Sequence, residues 1–429
     1  MAVETPKARP LWHTTFSSLS IRNYRLFFIG QLISISGTWM QTVAQSILVL
    51  DLTHSGAVLG LTIGARFAPL FLFGPFGGVI ADRVDKRHVL YVTQVLSGLL
   101  ALTFGLLVTA NAMQIWIVYL LAVALGFVNV FDNPARQALI SELVPAEQLR
   151  NAVTLNSVTA NMARIFGAAL AGGIAAALGL AICFELNAAS FAAVLITLWL
   201  MNGAEIHAQP SRRREKGELR AGLAYVRSRP DVLVPLIMVA VIGTLAWEFQ
   251  VSLPLIATVT FHGDAATYGT MAAVMGAGAV VGGLVSASRT PASNTGLALA
   301  AIGWGVSITA AALAPTEALE YAALVFVGYG SITFNSLAKT TMQLASIPAM
   351  RGRVMALWGL AWLGSTPIGG PIVGWVAAEF GPRWGLLIGG LPTIAIGLAA
   401  WPFLARQAPT LAGRSVQPAV EVAEVAEER

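Results

Sequence analysis

The 429-residue sequence is poor in charged residues and in cysteine. Only 11% of its residues are Asp, Glu, Lys or Arg, against about a quarter in soluble globular chains, whereas 56% are hydrophobic. The single cysteine, Cys183, excludes an internal disulfide and a cysteine-rich metal site. The five histidines lack metal-ligand spacing, and there is no Gly-x-x-x-x-Gly-Lys-Ser/Thr phosphate loop. We therefore expect no metal, no cofactor and no enzymatic activity, and an ATP-driven pump is disfavoured.

Long apolar runs take the place of the missing charge. A helix needs about 20 mainly apolar residues to cross a bilayer, and the sequence supplies about twelve such stretches, separated by short polar breaks. The runs are continuous and do not alternate between apolar and polar residues, so they predict helices and not a β-barrel. The N-terminal segment is polar and basic and lacks the features of a cleaved secretory signal. The sequence predicts an all-α protein embedded in a lipid bilayer.

Positive charge lies on one side of the predicted helices. With the N-terminus inside, all 26 Lys and Arg residues fall in cytoplasmic segments except Arg66 and Arg164, within helices, and Arg383, outside. This bias predicts that both termini are cytoplasmic. The net charge of +5 therefore reflects membrane topology, and no nucleic-acid partner is expected.

The longest polar break divides the chain into two halves. Gly37-Thr38 and Gly243-Thr244 are among several matches between the halves, as expected of an internal duplication. Leu219, Leu223 and Val226 recur at helical spacing in the central loop and predict an amphipathic surface helix over 216–228. The predicted organisation is a cytoplasmic N-terminal segment (1–24), a six-helix bundle (25–202), a cytoplasmic central loop with that helix (203–231), a second bundle (232–405) and a disordered cytoplasmic tail (406–429).

A short motif joins the second predicted helix to the third. The stretch Gly78-Val-Ile-Ala-Asp82-Arg83-Val-Asp85-Lys86-Arg87 resembles the Gly-x-x-x-Asp-Arg-x-Gly-Arg-Arg loop of the major facilitator superfamily, with Asp85 in place of the second glycine. The resemblance implies twelve transmembrane helices in two pseudo-symmetric six-helix bundles. It also implies a conformational latch in which the motif's acid docks on the eleventh helix. We expect Asp132, at the foot of the fourth helix, to pair with Lys86 or Arg87; the alternative is charge that only sets the topology.

Further motifs in the first half resemble one branch of that superfamily, the enterobactin-exporter-like and macrolide-efflux-like transporters. They include Asn133-Pro-Ala-Arg-Gln-Ala-Leu139, Asn161-Met-Ala-Arg164-Ile-Phe-Gly167 and Arg66-x-x-Pro69. The resemblance implies a monomeric drug:proton antiporter of the bacterial inner membrane whose partners are a small-molecule substrate and protons. The superfamily's fourth-helix arginine, often tied to proton coupling, is absent, and Ala122 stands at its expected place, so coupling must rest elsewhere.

Small residues and prolines mark two helices as places where the chain can bend or pack closely. The fifth helix has glycines from Gly167 onward, and the eleventh reads Gly370-Pro371-Ile-Val-Gly374. A proline removes a backbone hydrogen bond and glycines permit close crossing. We expect these positions to bend the helices or, alternatively, to serve plain small-residue packing.

Ionisable and polar residues within the apolar runs are candidates for coupling and for substrate binding. Burying a charge in mid-membrane costs at least about 2.5–3.5 kcal/mol, so each such residue requires a reason. The coupling candidates are Glu248, Arg164, Arg66 and Asp51, with Glu248 foremost; the alternatives are static ion pairs, including one between Glu248 and Arg164, or for Arg164 an anionic substrate group. The candidates for a weakly polar substrate cavity are Gln41, Gln45, Asn129, Trp247 and Asn335, each of which could instead be packing.

The leading hypothesis is proton-coupled export of an amphiphilic small molecule, a drug-like compound or a siderophore, by alternating access. Direction and substrate class follow from the resemblance and not from composition. Uptake of a small nutrient would require a more polar cavity. A non-transporting membrane sensor is the remaining alternative, and the ionisable residues within the helices weigh against it.

Overall fold

The computed structural model describes residues 16–206, 218–288 and 294–406, and these residues are almost entirely helical. Two short 3₁₀ turns, Ser17–Ser20 and Gly203–Glu205, accompany the helices. In chain order the helices are α1 (Arg22–Thr53), α2 (Gly56–Arg83), α3 (Lys86–Thr109), α4 (Ile115–Leu143), α5 (Ala146–Leu178), α6 (Leu180–Leu200), α7 (Glu218–Arg227), α8 (Pro230–Leu245), α9 (Phe249–Leu255), α10 (Ala265–Ser288), α11 (Asn294–Ala312), α12 (Glu317–Ala345), α13 (Pro348–Leu363), α14 (Thr366–Phe380) and α15 (Pro382–Arg406). The fold is all-α, as the composition predicts.

The helices form two bundles with the same internal pairing. In the first half α1 packs on α5 and α6, α2 on α4, and α3 on α4 and α6. In the second half α8 packs on the α13–α14 segment and on α15, α10 on α12, and α11 on α12 and α15. The pattern repeats one for one when α8–α9 and α13–α14 each count as one membrane segment. This repetition confirms the predicted pair of six-helix bundles.

Ten helical segments of the described residues are long and apolar enough to cross a membrane. The first and eleventh predicted helices are the two that fall short. The first, α1, contains the polar residues Gln31, Gln41 and Gln45, which are buried in the bundle and lower the mean hydropathy of the helix. The eleventh is divided into α13 and α14, of 16 and 15 residues, each too short to span a bilayer alone. Together with these two, the segments account for the twelve predicted.

Two membrane segments of the second half are interrupted, and the breaks face each other. The eleventh is broken at Gly364–Ser365, because Pro367 has no N–H for the Leu363 carbonyl and its ring clashes with that carbonyl in a continuous helix. The seventh is broken between Leu245, where α8 ends, and Phe249, where α9 begins. It then continues through a π-helical turn, Ile256–Thr260. The breaks lie away from Pro371, the residue expected to bend the eleventh helix.

The two halves meet mainly at one end of the molecule. We call the end at which α1 begins and α6 ends the terminal face; there Asn23 donates a hydrogen bond of 2.9 Å to the Asn202 carbonyl. The largest apolar cluster contains residues of both halves. The two smaller clusters lie at the terminal face, and each belongs to a single half. The halves are therefore joined at the opposite face and parted at the terminal face.

The central loop contributes the short helix α7, with residues 207–217 outside the described part of the chain. Val226 is fully buried and Gly222 packs beside Arg353, at the start of α13. Leu223 is exposed, so the apolar face expected of this helix is narrower than its spacing predicts. The side chain of Leu219 lies outside the described residues.

Candidate functional site: a cleft between the two halves

A cleft opens between the halves on the terminal side of their contact. Its volume is about 510 Å³, including the space at its mouth that is open to solvent. Its walls come from five membrane segments, two of the first half and three of the second. The lining residues are Trp39, Arg164, Trp247, Phe249, Gln250, Leu253, Tyr268, Ala272, Met275 and Ser331. The cleft is thus aromatic and apolar, with a single ionisable cation in its lining.

A cluster of aromatic rings stands behind the cleft in the second half. The Trp247 ring lies 4.6 Å from that of Trp362 and 6.2 Å from that of Trp304, measured between centroids. Trp304 stacks in turn on Phe334 at 5.8 Å. Offset and edge-on aromatic pairs of this kind contribute about 0.5–1.5 kcal/mol each beyond area burial, so this wall is rigid.

Arg164 projects from α5 to the boundary of the cleft. Its Nη2 donates to Asn161 Oδ1 at 2.9 Å, and its guanidinium lies 5.8 Å from the centre of the Trp39 ring. The side chain is 9% exposed, and its Nε has no hydrogen-bond partner. It also reaches the other half, since a Cβ added at Gly276 would stand 3.8 Å from Nε. Among the described residues, Arg164 and Glu248 form no ion pair in this conformation, so the alternative of a static pair between them is not observed.

Glu248 lies at the break of the seventh segment and faces the break of the eleventh. The residue is 3% exposed and lies beside Thr366, the first residue of α14, while its Oε1 has no hydrogen-bond partner among the described residues. A Cβ at Gly369 would stand 3.0 Å from Oε1. The carboxylate thus rests against the glycines of α14 and does not line the cleft directly. Broken helices that meet around an ionisable group are typical of coupling sites in secondary transporters.

Two seams of small residues join the halves at the opposite face. In the first, α2 crosses α14 so closely that a side chain at Gly60 would collide with the carbonyl of Gly370, and one at Gly374 with the carbonyl of Gly56. Gly64 faces the Pro371 ring in the same seam. The residues expected to bend the eleventh helix therefore allow close crossing instead.

The second seam joins α5 to α10. A side chain at Gly269 would meet the carbonyl of Ala168 and the backbone of Gly172. Gly167 faces the other way, because a Cβ there would collide with the Ser36 carbonyl of α1. Gly167 and Gly172 of the fifth helix thus serve close packing on both sides, and α5 continues unbroken to Leu178.

Most of the residues predicted to line the cavity lie outside the lining of the described cleft. Of the five, Trp247 alone lines the described cleft. Gln41 is buried and accepts a 2.6 Å hydrogen bond from Asn187 of α6, so it ties two helices of one bundle together. Gln45 is also buried, and its Oε1 has no partner. Asn129 and Asn335 are half-buried outside the lining. Helical spacing predicts which residues share a face but not which neighbour covers that face.

The two remaining coupling candidates differ in their surroundings. Arg66 donates from Nη1 to the Thr42 hydroxyl at 3.2 Å, which links α2 to α1 within the first bundle. Asp51 is exposed near the end of α1 and is not the enclosed carboxylate that coupling requires. Neither residue contributes to the cleft or to the helix breaks.

The charges around the loop between α2 and α3 pair differently from the expectation. Lys86 forms an ion pair with Glu142 of α4 at 3.3 Å, not with Asp132. Asp132 accepts hydrogen bonds of 2.8 Å from both Thr93 and Gln94 of α3 and pairs with Arg136 on its own helix. These nearer partners satisfy its carboxylate, so the predicted pairing with Lys86 or Arg87 is wrong for this conformation.

Arg87 and Asp85 also have structural roles. The Arg87 guanidinium donates to backbone carbonyls at the end of α6, including a 3.0 Å bond from Nε to Leu198. Asp85, which replaces the motif's second glycine, caps α3 by accepting a 2.9 Å bond from the Arg87 N–H. Gly78 is buried in α2, and a side chain at the adjacent Gly77 would collide with the Val130 carbonyl of α4. The Asp82 and Arg83 side chains lie outside the described residues.

The known relatives agree with this architecture. A family model described as transmembrane secretion effector matches residues 13–428, nearly the whole chain. The chain belongs to the transmembrane secretion effector family. This family places the protein among the transporters of the major facilitator superfamily, as the loop motif predicts, and it is a multi-pass membrane transporter and not an enzyme.

Among curated proteins, this secretion effector is similar to enterobactin exporters. It is 25% identical over 377 residues to that of Citrobacter koseri, with 87% of this chain and 90% of the relative covered. The identity and both coverages are the same for that of Shigella boydii serotype 4. These matches support the predicted resemblance to the enterobactin-exporter branch.

Solved structures with the same fold include transporters of several kinds. A bacterial homologue of the human lysosomal transporter Spinster, in an inward-facing and unoccupied conformation, aligns with a TM-score of 0.68 and 18% identity over 90% of this chain and 96% of that one. A POT family transporter in complex with 5-aminolevulinic acid aligns with a TM-score of 0.71 and 13% identity over the same shares. These structural similarities establish the fold and give no information about the substrate of this chain.

Proposed function

We propose that this protein exports an amphiphilic small molecule, a drug-like compound or a siderophore, in exchange for protons, and does so as a monomer in a bacterial inner membrane. The observation that carries the proposal is the position of Glu248. A buried carboxylate lies beside Thr366, where two interrupted helices meet near an aromatic cleft. A carboxylate that alternates between wet and dry surroundings can take up and release a proton.

The seams and the cleft supply the conformational part of the proposal. With both termini in the cytoplasm, the parted terminal face is an inward-open state, and the glycine seams close the outer side. Export then requires the Gly60–Gly370 seam to open and the terminal face to close. Glu248 lies against Gly369, next to the seam glycine Gly370, so proton transfer at Glu248 acts on the helix that must move. The motif residues Gly78, Asp82, Arg83, Lys86 and Arg87, with Asp132, act in this scheme as the latch of the closed terminal face.

The resemblance to enterobactin exporters supports export over uptake, and the aromatic cleft supports an amphiphile over a polar nutrient. The test measures accumulation of a panel of amphiphilic compounds, including drug-like molecules and siderophores, in cells that lack or overproduce the protein. We expect overproduction to lower the accumulation of some compounds and a protonophore to abolish the difference. A rise in accumulation would identify an uptake transporter, and no change for any compound would favour a sensor.

A further inference from the structure

The isolated cation in the cleft indicates what kind of amphiphile fits. Arg164 is the basic residue among the described residues that line the cleft, and only 9% of it is exposed. Among the described residues, its buried Nε has no hydrogen-bond acceptor, and its side chain donates a hydrogen bond only to neutral Asn161. A buried guanidinium without a carboxylate partner is costly, so its retention requires an anionic group from elsewhere or a strong structural reason.

The surroundings of Arg164 argue against a purely structural role. Among the described residues, Arg164 forms no hydrogen bond with the other half, although its side chain lies close to Gly276 of α10. A side chain at Gly276 would crowd Ile165 and narrow the space in which the guanidinium lies. The charge is therefore held in the lining of the cleft, close to α10 of the other half.

Flat aromatic rings surround the same space. Trp39 lies below the guanidinium at 5.8 Å, and Trp247 and Phe249 form the opposite wall with their rings 6.3 Å apart. Tyr268 is engaged by a hydrogen bond with Ser46 and presents its ring to the cleft. Such walls take a planar apolar body, while a guanidinium takes an anionic oxygen through charge-assisted hydrogen bonds.

We propose that the cleft binds planar aromatic anions, with Arg164 holding the anionic group and Trp39 and Trp247 holding the ring system. This inference rests on the proposed function in that it names the substrate class of the same cleft. It differs from that function because it concerns equilibrium binding and needs neither a direction of transport nor a proton gradient.

The experiment uses two probes that share one scaffold. 8-Anilinonaphthalene-1-sulfonate carries a sulfonate, and N-phenyl-1-naphthylamine is the same molecule without it. Binding of each to the full-length protein in lipid nanodiscs is measured by fluorescence, with empty nanodiscs subtracted. The proteins compared are the wild type, Arg164→Gln, Arg164→Lys and the control Arg353→Gln, whose arginine lies near the surface helix and away from the cleft.

We expect Arg164→Gln to weaken binding of the sulfonate probe about tenfold or more and to change binding of the neutral probe by less than about twofold. Retained binding of the neutral probe shows that the variant is folded. Arg164→Lys is expected to fall between the two, because a lysine keeps the charge without the planar fork. Arg353→Gln should match the wild type with both probes.

Three results would overturn the inference: no binding of either probe to the wild type, equal effects of Arg164→Gln on both probes, or no effect on either. The outcomes separate from those of the proposed function. If Arg164→Gln selectively loses binding of the sulfonate probe but the wild type moves no compound across a membrane, export alone is refuted. If the protein exports compounds in exchange for protons but Arg164→Gln does not selectively weaken binding of the sulfonate probe, the anion site alone is refuted.

Discussion

Glu248 lies beside Thr366, so the break in the seventh membrane segment is next to the first residue after the break in the eleventh. The carboxylate also rests against Gly369, whose own Cα faces the Thr244 carbonyl closely enough to exclude a side chain. One residue further, Gly370 belongs to the seam with α2. A single turn of α14 thus connects the ionisable group to the contact that must open.

Gly369→Ala should destabilise the protein by about 1–3 kcal/mol, because the added methyl collides with the Thr244 carbonyl and presses on Glu248. The melting temperature in detergent measures the loss. Gly359→Ala, where an added Cβ meets nothing within 4 Å, is the matched control in the same membrane segment and should change little. Equal melting temperatures for all three proteins would contradict the close packing described here.

Gly60→Val should open the seam between α2 and α14, since the side chain collides with the Gly370 carbonyl. An overpacking cost of about 1–3 kcal/mol moves the conformational equilibrium by about fivefold to more than a hundredfold toward the state in which the terminal face is closed. Spin labels at Gln137 of α4 and Ser336 of α12, in a Cys183→Ala background, report the distance across that face. We expect the distance between the two labels to be shorter in Gly60→Val than in the labelled protein that keeps Gly60.

Gly173→Val is the control for this experiment, because nothing lies within 4 Å of a Cβ at that position of α5. It should leave the label distances unchanged. Unchanged distances in Gly60→Val as well would show that the seam does not set the position of the two halves.

Lys86→Ala should destabilise the first bundle by more than the loss of an exposed ion pair would. The side chains of Lys86 and Glu142 are only 15% and 6% exposed, so removing one leaves the other charge largely buried. The charge swap Lys86→Glu with Glu142→Lys should recover part of the loss. Arg229→Ala, which breaks the more exposed pair with Asp231, should cost about 1 kcal/mol or less. Similar costs at the two sites would refute a structural role for the Lys86–Glu142 pair.

Glu320 is a buried acid that the sequence does not single out. Its side chain is fully buried in the first turn of α12, and both carboxylate oxygens lack a hydrogen-bond partner. Since no donor depends on the charge, Glu320→Gln should keep the melting temperature within a few degrees of the wild type. Glu142→Gln, which removes the partner of Lys86, should lower it more. A large loss in Glu320→Gln would mean that its carboxylate has a partner essential to the fold.

Composition and periodicity predict the class of fold well because membrane-spanning helices must satisfy their own backbone and exceed a minimum length. They do not predict the breaks at Glu248 and Gly364, which depend on tertiary contacts and on Pro367 three residues beyond the second break. Gln41 illustrates the same limit at the site: its position on the helix is predictable, but its engagement by Asn187 of α6 is not.

The charged residues show a related limit. Asp132 and Lys86 lie on the elements expected of them, yet each has a nearer partner that only the packing of α3 on α4 brings within reach. The burial of Glu320 is not predictable from the sequence, because an acid at a predicted helix end is normally solvated, whereas here the residue is fully buried. Arg164 and Trp247, by contrast, both line the cleft.

The central claim is that Glu248 couples proton movement to transport. The most direct measurement compares wild type, Glu248→Gln and the control Glu185→Gln in proteoliposomes loaded with a compound that the accumulation screen identifies as a substrate. Glu185 is a half-buried carboxylate bonded to Thr109, away from the breaks. We predict that Glu248→Gln loses transport driven by an imposed pH gradient but retains substrate exchange without a gradient, while Glu185→Gln retains both. Gradient-driven transport by Glu248→Gln at the wild-type rate would contradict the account.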